Sequence, residues 1–293
     1  MSDDVNAGAL ARSLTACRLS LTAAKRAACA LLARCGCMIT RAKHSKVQDA
    51  AIRSTRAISG GKRLTLEIPL VGQIVPATML LPSATTRPPA VLLLHGYGSR
   101  KEQMADAVGR ALLERRIASL SVDLPLHGER ERAVEIDAIR NPLVLVSQWR
   151  LALAECGAAL EWMSEQEELD GRCLAIAGYS MGAFIGVMVA ANSDHARALV
   201  LAAGGDLPEA TPFTRLVRTV ADPSSSIRKL DGRPLLMIHG KRDRTVRPEQ
   251  ATRLFEAADE PKELRWYDAG HWLPDAATRD AAAWLEARLA RRR

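Results

Sequence analysis

The chain has 293 residues, of which 48% are hydrophobic, and its formal net charge is +8 at pH 7. This length suits one α/β domain with a substantial core, and no stretch approaches the roughly 18 uninterrupted apolar residues of a membrane span. Residues 1–63 carry 12 Lys/Arg and 3 Asp/Glu, whereas the remaining residues carry 29 and 30. Because the positive charge belongs to the N-terminal segment, the basic composition does not predict nucleic-acid binding by the domain.

Residues 1–55 form a basic, Ala/Arg-rich extension, and we place the main domain at residues 56–293. Apolar residues recur in the extension at spacings of four and three, which is typical of an amphipathic helix. These residues are Leu10, Leu14, Cys17, Leu21, Ala24, Ala28, Leu31 and Cys35. Three interpretations stay open: a helix that packs on the domain or on another subunit, a targeting or membrane-surface segment, or residues that precede a true start at Met38.

The cysteines do not predict a metal site. Cys35 and Cys37 are separated by one glycine, but neither a second pair nor a histidine cluster accompanies them at zinc spacing. Cys156 and Cys173 lie on a predicted helix and a predicted strand and are typical of small core residues. No dinucleotide-binding pattern follows any strand, so we expect no cofactor. Nothing demands an oxidising compartment, and the expected location is the cytoplasm.

Apolar strands and helices alternate after residue 90, which predicts a parallel sheet covered on both faces. The first two strands, joined at Val71 and Gly72, are predicted to form an antiparallel hairpin. The predicted strands are Leu64–Pro69, Ile74–Leu81, Ala90–Leu94, Ala118–Val122, Cys173–Ala177, Ala198–Ala202, Leu235–His239 and Glu263–Tyr267. The predicted helices are Lys101–Arg115, Ser147–Glu165, Met181–Ala191, Arg247–Ala258 and Ala276–Arg291. The expected fold class is α/β, with a mostly parallel eight-stranded sheet.

Ser180 lies between two glycines, Gly178 and Gly182, where a predicted strand ends and a predicted helix begins. This pattern is typical of a nucleophile elbow, a sharp turn that leaves the serine oxygen exposed. The turn holds the serine in a strained conformation, and side chains at the two glycine positions would collide with the neighbouring strand and helix. Gly-x-Ser-x-Gly alone arises by chance, so the interpretation depends on the strand-to-helix context.

Three histidines follow the serine, and His271 is the candidate base because its loop, after the last strand, lets it reach over the sheet edge. His195 lies in a polar turn, and His239 closes an apolar strand where we expect it to pack. Asp243, just beyond the penultimate strand, is the candidate acid that would accept the imidazole N–H. Asp206, which follows the preceding strand, is the alternative acid.

Two backbone N–H groups are candidates for an oxyanion hole. One belongs to Met181, the residue after the nucleophile, and the other to Tyr97, in the glycine-rich loop His95–Ser99 after an apolar strand. Glycine lets the backbone of this loop approach a substrate closely. His95 is expected to organise the loop rather than to transfer protons.

Two insertions border the predicted site. Residues 205–233 are long enough for a small lid with a short helix at Thr214–Val220, but not for a large cap domain. Residues 127–146 are rich in charge and are expected to form a solvated surface loop, with a substrate-contacting rim as the alternative. A small lid and an aromatic content of 4% favour a short or medium ester over a polysaccharide.

Five ordered segments resemble the α/β-hydrolase superfamily, in particular its serine esterase and dienelactone-hydrolase-like branch. They are LLLHGYG at 92–98, DLPLHGER at 123–130, GYSMGA at 178–183, HGKRDRTV at 239–246 and AGHW at 269–272. The resemblance covers about residues 64–293, and the order of nucleophile, acid and histidine is that of the superfamily. Dienelactone hydrolases proper carry Cys at the nucleophile position, so Ser180 favours plain ester hydrolysis.

The resemblance implies a serine hydrolase that cleaves a small or medium carboxylic ester through an acyl-enzyme, with Ser180, His271 and Asp243 as its triad. A prolyl-oligopeptidase-like peptidase and an acyl thioesterase are the enzymatic alternatives, and a hydrolase-fold ligand-binding protein is the alternative of another class. The expected partner is a small-molecule ester, and self-association is left open. The pattern does not identify the residues that bind the substrate.

Overall fold

The computed structural model of the protein describes residues 50–133, 142–208, 217–218 and 220–290. Nine strands form one sheet in these residues. They are β1 Ala51–Ile58, β2 Gly61–Leu70, β3 Gln73–Pro82, β4 Ala90–Leu94, β5 Ala118–Val122, β6 Leu174–Tyr179, β7 Ala196–Ala202, β8 Leu235–Gly240 and β9 Lys262–Tyr267. The predicted N-terminal helical stripe, Cys35 and Cys37, and most of the predicted helix Thr214–Val220 lie outside the described residues.

The strand order is β1-β2-β3-β5-β4-β6-β7-β8-β9. Strands β1 to β3 form an antiparallel meander, and β3 pairs antiparallel with β5. From β5 to β9 every neighbouring pair is parallel. All residues of β4, β5 and β8 are buried, as strands covered on both faces require. The carboxyl ends of β4, β6, β8 and β9 therefore lie along one edge, where this class of sheet binds ligands.

The predicted fold class is confirmed, but the expected count of eight strands is wrong. The additional strand is β1, whose first seven residues are exposed. A strand exposed on both sides has no alternation of buried and exposed positions, so its sequence carries no strand signal. It also crosses the predicted boundary between residues 55 and 56, because the sheet already begins at Ala51.

Six helices and one short 3₁₀ helix are described. They are α1, formed by Lys101–Met104 and Arg110–Leu113 with a π-helical turn Ala105–Gly109 between them, the 3₁₀ helix Gly128–Ala133, α2 Pro142–Glu165, α3 Met181–Ala191, α4 Pro223–Ile227, α5 Pro248–Ala257 and α6 Asp275–Leu289. Helices α1 and α6 share one core with alternate residues of the central strands, including Val91 and Leu93. Helix α3 packs on the other face, where Gly186 lies close to Leu94 and Ile176.

None of the helices described is both long and apolar enough to cross a membrane.

Candidate active site

Ser180 occupies the sharp turn between β6 and α3. Its backbone has φ 51° and ψ −114°, a conformation that L-residues rarely adopt and that costs on the order of 1–3 kcal/mol. A Cβ on Gly178 would lie 2.2 Å from the carbonyl oxygen of Gly182, and one on Gly182 would lie 2.1 Å from that of Leu94. The Ser180 N–H donates to the Ala202 carbonyl at 2.8 Å. The two glycines and this hydrogen bond therefore accommodate the strained serine.

Ser180, His271 and Asp243 lie in one hydrogen-bonded line. The Nε2 atom of His271 is 2.9 Å from the Oγ of Ser180, and its Nδ1 is 2.8 Å from the Oδ2 of Asp243. An ionised carboxylate can only accept, so Nδ1 carries the hydrogen and Nε2 is free to accept the serine proton. The structure thus brings together three side chains that lie 28 and 91 residues apart in sequence.

The second oxygen of Asp243 is held by the turn that follows β8. Its Oδ1 accepts the N–H groups of Thr245 at 2.8 Å and Val246 at 3.0 Å. The side chain is fully buried, whereas that of His271 is 17% exposed. The carboxylate therefore has a fixed orientation and aims one oxygen at the imidazole.

Asp206, the alternative acid, makes different contacts. Its Oδ2 lies 2.7 Å from Arg218 and 3.8 Å from Arg253. Burial acts in the opposite direction, but hydrogen bonds from Arg218 and Ser224 hold the pKa of Asp206 below its ordinary value. Of the two candidate acids, the structure places only Asp243 against His271.

His239 packs beneath the acid at the end of β8, as expected. It is buried, and its Nε2 donates to the Val246 carbonyl at 2.8 Å. The same nitrogen is 3.5 Å from Asp243 Oδ2. Burial lowers the pKa of His239, so the ring stays neutral and fixes the turn that donates to Asp243.

Tyr179, the residue before Ser180, holds the loop that carries His271. Its hydroxyl donates to the carbonyl oxygen of His271 and accepts the N–H of Leu273 at 3.3 Å. Burial raises the pKa of this hydroxyl, so it keeps its proton. Sequence reasoning missed this residue, because the position between Gly178 and Ser180 has no fixed identity in the elbow pattern.

The loop after β4 runs directly beside the serine. A Cβ on Gly96 would be 3.4 Å from that of Ser180, and Gly182 packs against the carbonyls of Leu94 and His95. Met181 is the first residue of α3, where a backbone N–H has no partner within the helix. The loop of Tyr97 and the helix terminus of Met181 therefore border the same serine.

His95 shapes this loop. It is fully buried, its Nδ1 donates to the Gly96 carbonyl at 2.8 Å, and its Nε2 accepts the Leu124 N–H at 3.1 Å. Burial lowers the pKa of His95 to about 4, so the ring is neutral near pH 7. Both nitrogens are occupied by backbone groups, which agrees with an organising role.

The far end of the loop is fixed by a buried ion pair, Lys101 and Asp123, to which the partly exposed Glu102 and the exposed Glu129 add. The Nζ atom of Lys101 lies 2.8 Å from Asp123, 2.5 Å from Glu129 and 2.9 Å from Glu102. The Lys101 N–H also donates to Asp123 at 2.8 Å. Burial favours the neutral amine, but these carboxylates outweigh it and raise the pKa of Lys101. The loop is therefore tied at both ends to the residues that follow β5.

The residues that follow β5 correct one expectation. Residues 127–146 were predicted to form a solvated loop; Glu129 is indeed 60% exposed, but Arg130 makes two hydrogen bonds of 2.7 and 2.8 Å to the buried Glu155. Gly128 permits this arrangement, because a Cβ there would lie 2.3 Å from the Asp123 carboxyl group. Residues 134–141 of the insertion lie outside the described part of the chain. Among the described residues, no three His, Cys, Asp or Glu residues form a group that could hold a metal ion.

A family model described as the alpha/beta hydrolase family matches residues 91–287. The chain belongs to the alpha/beta hydrolase family. The match contains Ser180, Asp243, His271, Met181 and Tyr97.

Individual relatives are more distant. The protein YitV of Bacillus subtilis (strain 168), provisionally named an esterase, is 25% identical over 235 residues, which cover 69% of this chain and 89% of YitV. A cold-adapted esterase from an Arctic intertidal metagenomic library is 20% identical with a TM-score of 0.67, covering 82% of this chain and 99% of that one. An acetyl xylan esterase from Paenibacillus sp. R4 is 15% identical with a TM-score of 0.69, covering 83% and 90%. At these identities the two solved structures show the fold alone.

Proposed function

We propose that the protein is a serine esterase that cleaves carboxylic esters of small or medium size through an acyl-enzyme. The observation that carries the proposal is the hydrogen-bonded line from Ser180 through His271 to the buried Asp243. An elbow serine with this line has an activated oxygen and a base of fixed tautomer. The esterase names of YitV and of the structural neighbours agree with this activity.

The proposed reaction has two halves. Ser180 Oγ attacks the ester carbonyl carbon while His271 Nε2 takes its proton, and the N–H groups of Met181 and Tyr97 stabilise the negative oxygen. His271 then gives the proton to the departing alcohol, which leaves an acyl-serine. Water attacks this ester with His271 as the base and releases the acid, so serine and imidazole return to their starting states.

Short acyl groups are the favoured substrates. One structural neighbour is named an acetyl xylan esterase, and a small lid, as the sequence predicts, would leave the serine accessible to short esters. A thioester would react by the same steps, and a panel of esters and thioesters with one acyl group would rank the two leaving groups.

The decisive variant is Ser180→Ala, assayed on p-nitrophenyl acetate and butyrate. We expect turnover to fall by about 10⁴-fold or more, because the triad acts as a unit. A fluorophosphonate probe should label the native protein and not the variant. The control is Ser164→Ala, which removes an exposed hydroxyl on α2 that contacts only the Glu161 carbonyl. Full activity of Ser180→Ala would refute the proposal, and a ligand-binding protein would leave the probe unreacted.

A further inference from the structure

Trp272, the residue after the histidine, exposes 79% of its surface. Its ring is nevertheless held in place, because it stacks on Tyr179 with an interplanar angle of 21° and a centroid distance of 6.2 Å. Tyr179 in turn is tied to the loop at His271 and Leu273. The indole therefore presents a flat, largely exposed apolar surface beside the loop that carries His271.

In the proposed reaction the alcohol departs beside His271, and the indole of Trp272 lies next to that residue. Its centroid is 6.2 Å from that of His271, the group that gives its proton to the departing alcohol. The histidine loop arrives from β9 across the sheet, whereas Tyr97 follows β4, which pairs with the opposite side of β6. In the proposed reaction the carbonyl oxygen binds at the Tyr97 and Met181 N–H groups, and the alcohol portion lies on the side of His271, next to Trp272.

We propose that Trp272 is a specificity-determining residue that packs against the alcohol portion of the ester and selects alcohols that carry an aromatic ring. The inference rests on the proposed esterase function. Aromatic pairs gain energy beyond the area that they bury, whereas an alkyl group on the same indole gains only the area term. The substrate class is thus an ester of a short acid with an arylmethyl-type alcohol.

The test uses three esters with one acyl group: benzyl, cyclohexylmethyl and ethyl acetate. The first two have similar size, and only the first has an aromatic ring. In Trp272→Ala we expect kcat/KM to fall about three- to tenfold for benzyl acetate, less for cyclohexylmethyl acetate and less than twofold for ethyl acetate. Trp272→Phe should restore the preference for the benzyl ester. Ile74→Ala, a change of an exposed apolar residue on β3, serves as the control and should alter none of the three values.

A second measurement separates recognition from loop damage. The acetyl-enzyme no longer contains the alcohol, so its hydrolysis rate should be the same in Trp272→Ala and in the native protein. Equal losses for all three esters, an equal loss for the benzyl and cyclohexylmethyl esters, or slower hydrolysis of the acetyl-enzyme would each overturn the inference. Activity that survives Ser180→Ala would instead overturn the proposed function.

Discussion

The hydroxyl of Tyr179 donates to the backbone carbonyl of His271, so the residue before Ser180 holds the residue whose imidazole lies 2.9 Å from the serine oxygen. The same hydroxyl accepts the N–H of Leu273 at 3.3 Å. Because Tyr179 is the last residue of β6 and Ser180 follows it, the serine and the histidine share one rigid support. A shift of the histidine loop that separates His271 Nε2 from Ser180 Oγ would also have to break the hydrogen bond from the Tyr179 hydroxyl.

Tyr179→Phe tests this coupling, since it removes one oxygen and keeps the ring that stacks on Trp272. We expect kcat to fall by about tenfold with KM little changed, because small misplacements of reacting groups mainly cost turnover. The free energy of unfolding should fall by about 1 kcal/mol. Tyr267→Phe is the matched control: it removes a hydroxyl that donates to Asp280 at 2.5 Å. If both variants keep native kcat, Tyr179 has no positioning role.

Asp243→Asn should lower turnover strongly, whereas Asp206→Asn should mainly lower stability. The first removes the charge that orients and stabilises the imidazolium, and turnover should fall by about 10⁴-fold. The second weakens ion pairs with Arg218 and Arg253, so we expect near-native kcat and a loss of about 1 kcal/mol, or about 2–4 °C in melting temperature. Steady-state kinetics and thermal unfolding of both variants check this. A large loss of kcat in Asp206→Asn would instead assign the role of the triad acid to Asp206.

Two buried histidines make stability depend on pH. Burial lowers the pKa of His95 to about 4 and also lowers that of His239, whereas both should titrate near about 6.5 in the unfolded chain. Below about pH 6.5 the unfolded chain therefore binds protons that the folded chain does not, and the free energy of unfolding falls as the pH drops. For His95 this loss continues to about pH 4, at no more than about 1.4 kcal/mol per pH unit.

Denaturant unfolding of the native protein and of His95→Gln, between about pH 7.5 and 4.5, measures this effect. Glutamine keeps a polar group near Gly96 and Leu124 but does not titrate in this range. We expect the variant to be less stable at neutral pH and its stability to depend less steeply on pH. Identical slopes for the two proteins would contradict the assigned protonation of His95.

Lys101→Met should destabilise the protein and slow the reaction together. It leaves the buried Asp123 without its cation, and breaking a buried pair in this way costs about 3–5 kcal/mol. Because Lys101 ends the loop that carries Tyr97, kcat should fall even where the variant is fully folded. Lys62→Met, a change of an exposed lysine on β2, is the control. Unfolding curves and kcat at low temperature test both effects, and a folded Lys101→Met with native kcat would contradict the second.

The sequence predicts the strands well where burial requires a run of apolar residues. The central strands β4, β5 and β8 are short apolar runs with sharp ends, and their predicted bounds agree with the structure to within one residue. Ser180 and Asp243 follow the buried apolar strands β6 and β8, whereas His271 follows the partly buried β9 and is predicted from its loop after the last strand. β1 has no buried face, so its sequence lacks the apolar pattern from which the other strands were predicted.

Beyond the proposed triad, contacts between segments that are far apart in the chain could not be predicted from the sequence. Tyr179 and His271 are 92 residues apart, and Lys101 and Asp123 are 22 apart. Neither pair has a spacing or periodicity that marks it, since a loop crossing and a buried ion pair depend on how complete elements pack. The charged run after His127 was predicted to be solvated because charged residues are usually exposed. Its buried partner Glu155 could not be identified from the sequence.

The strand β1 is one edge of the sheet, and it carries Arg53 and Arg56. Its pairing with β2 is irregular between Ile52 and Ser54. Irregular, basic edges are how proteins prevent strands of separate molecules from joining, since like charges would meet across the new pair. These features of β1 therefore disfavour aggregation by the addition of a strand from an identical copy at this edge.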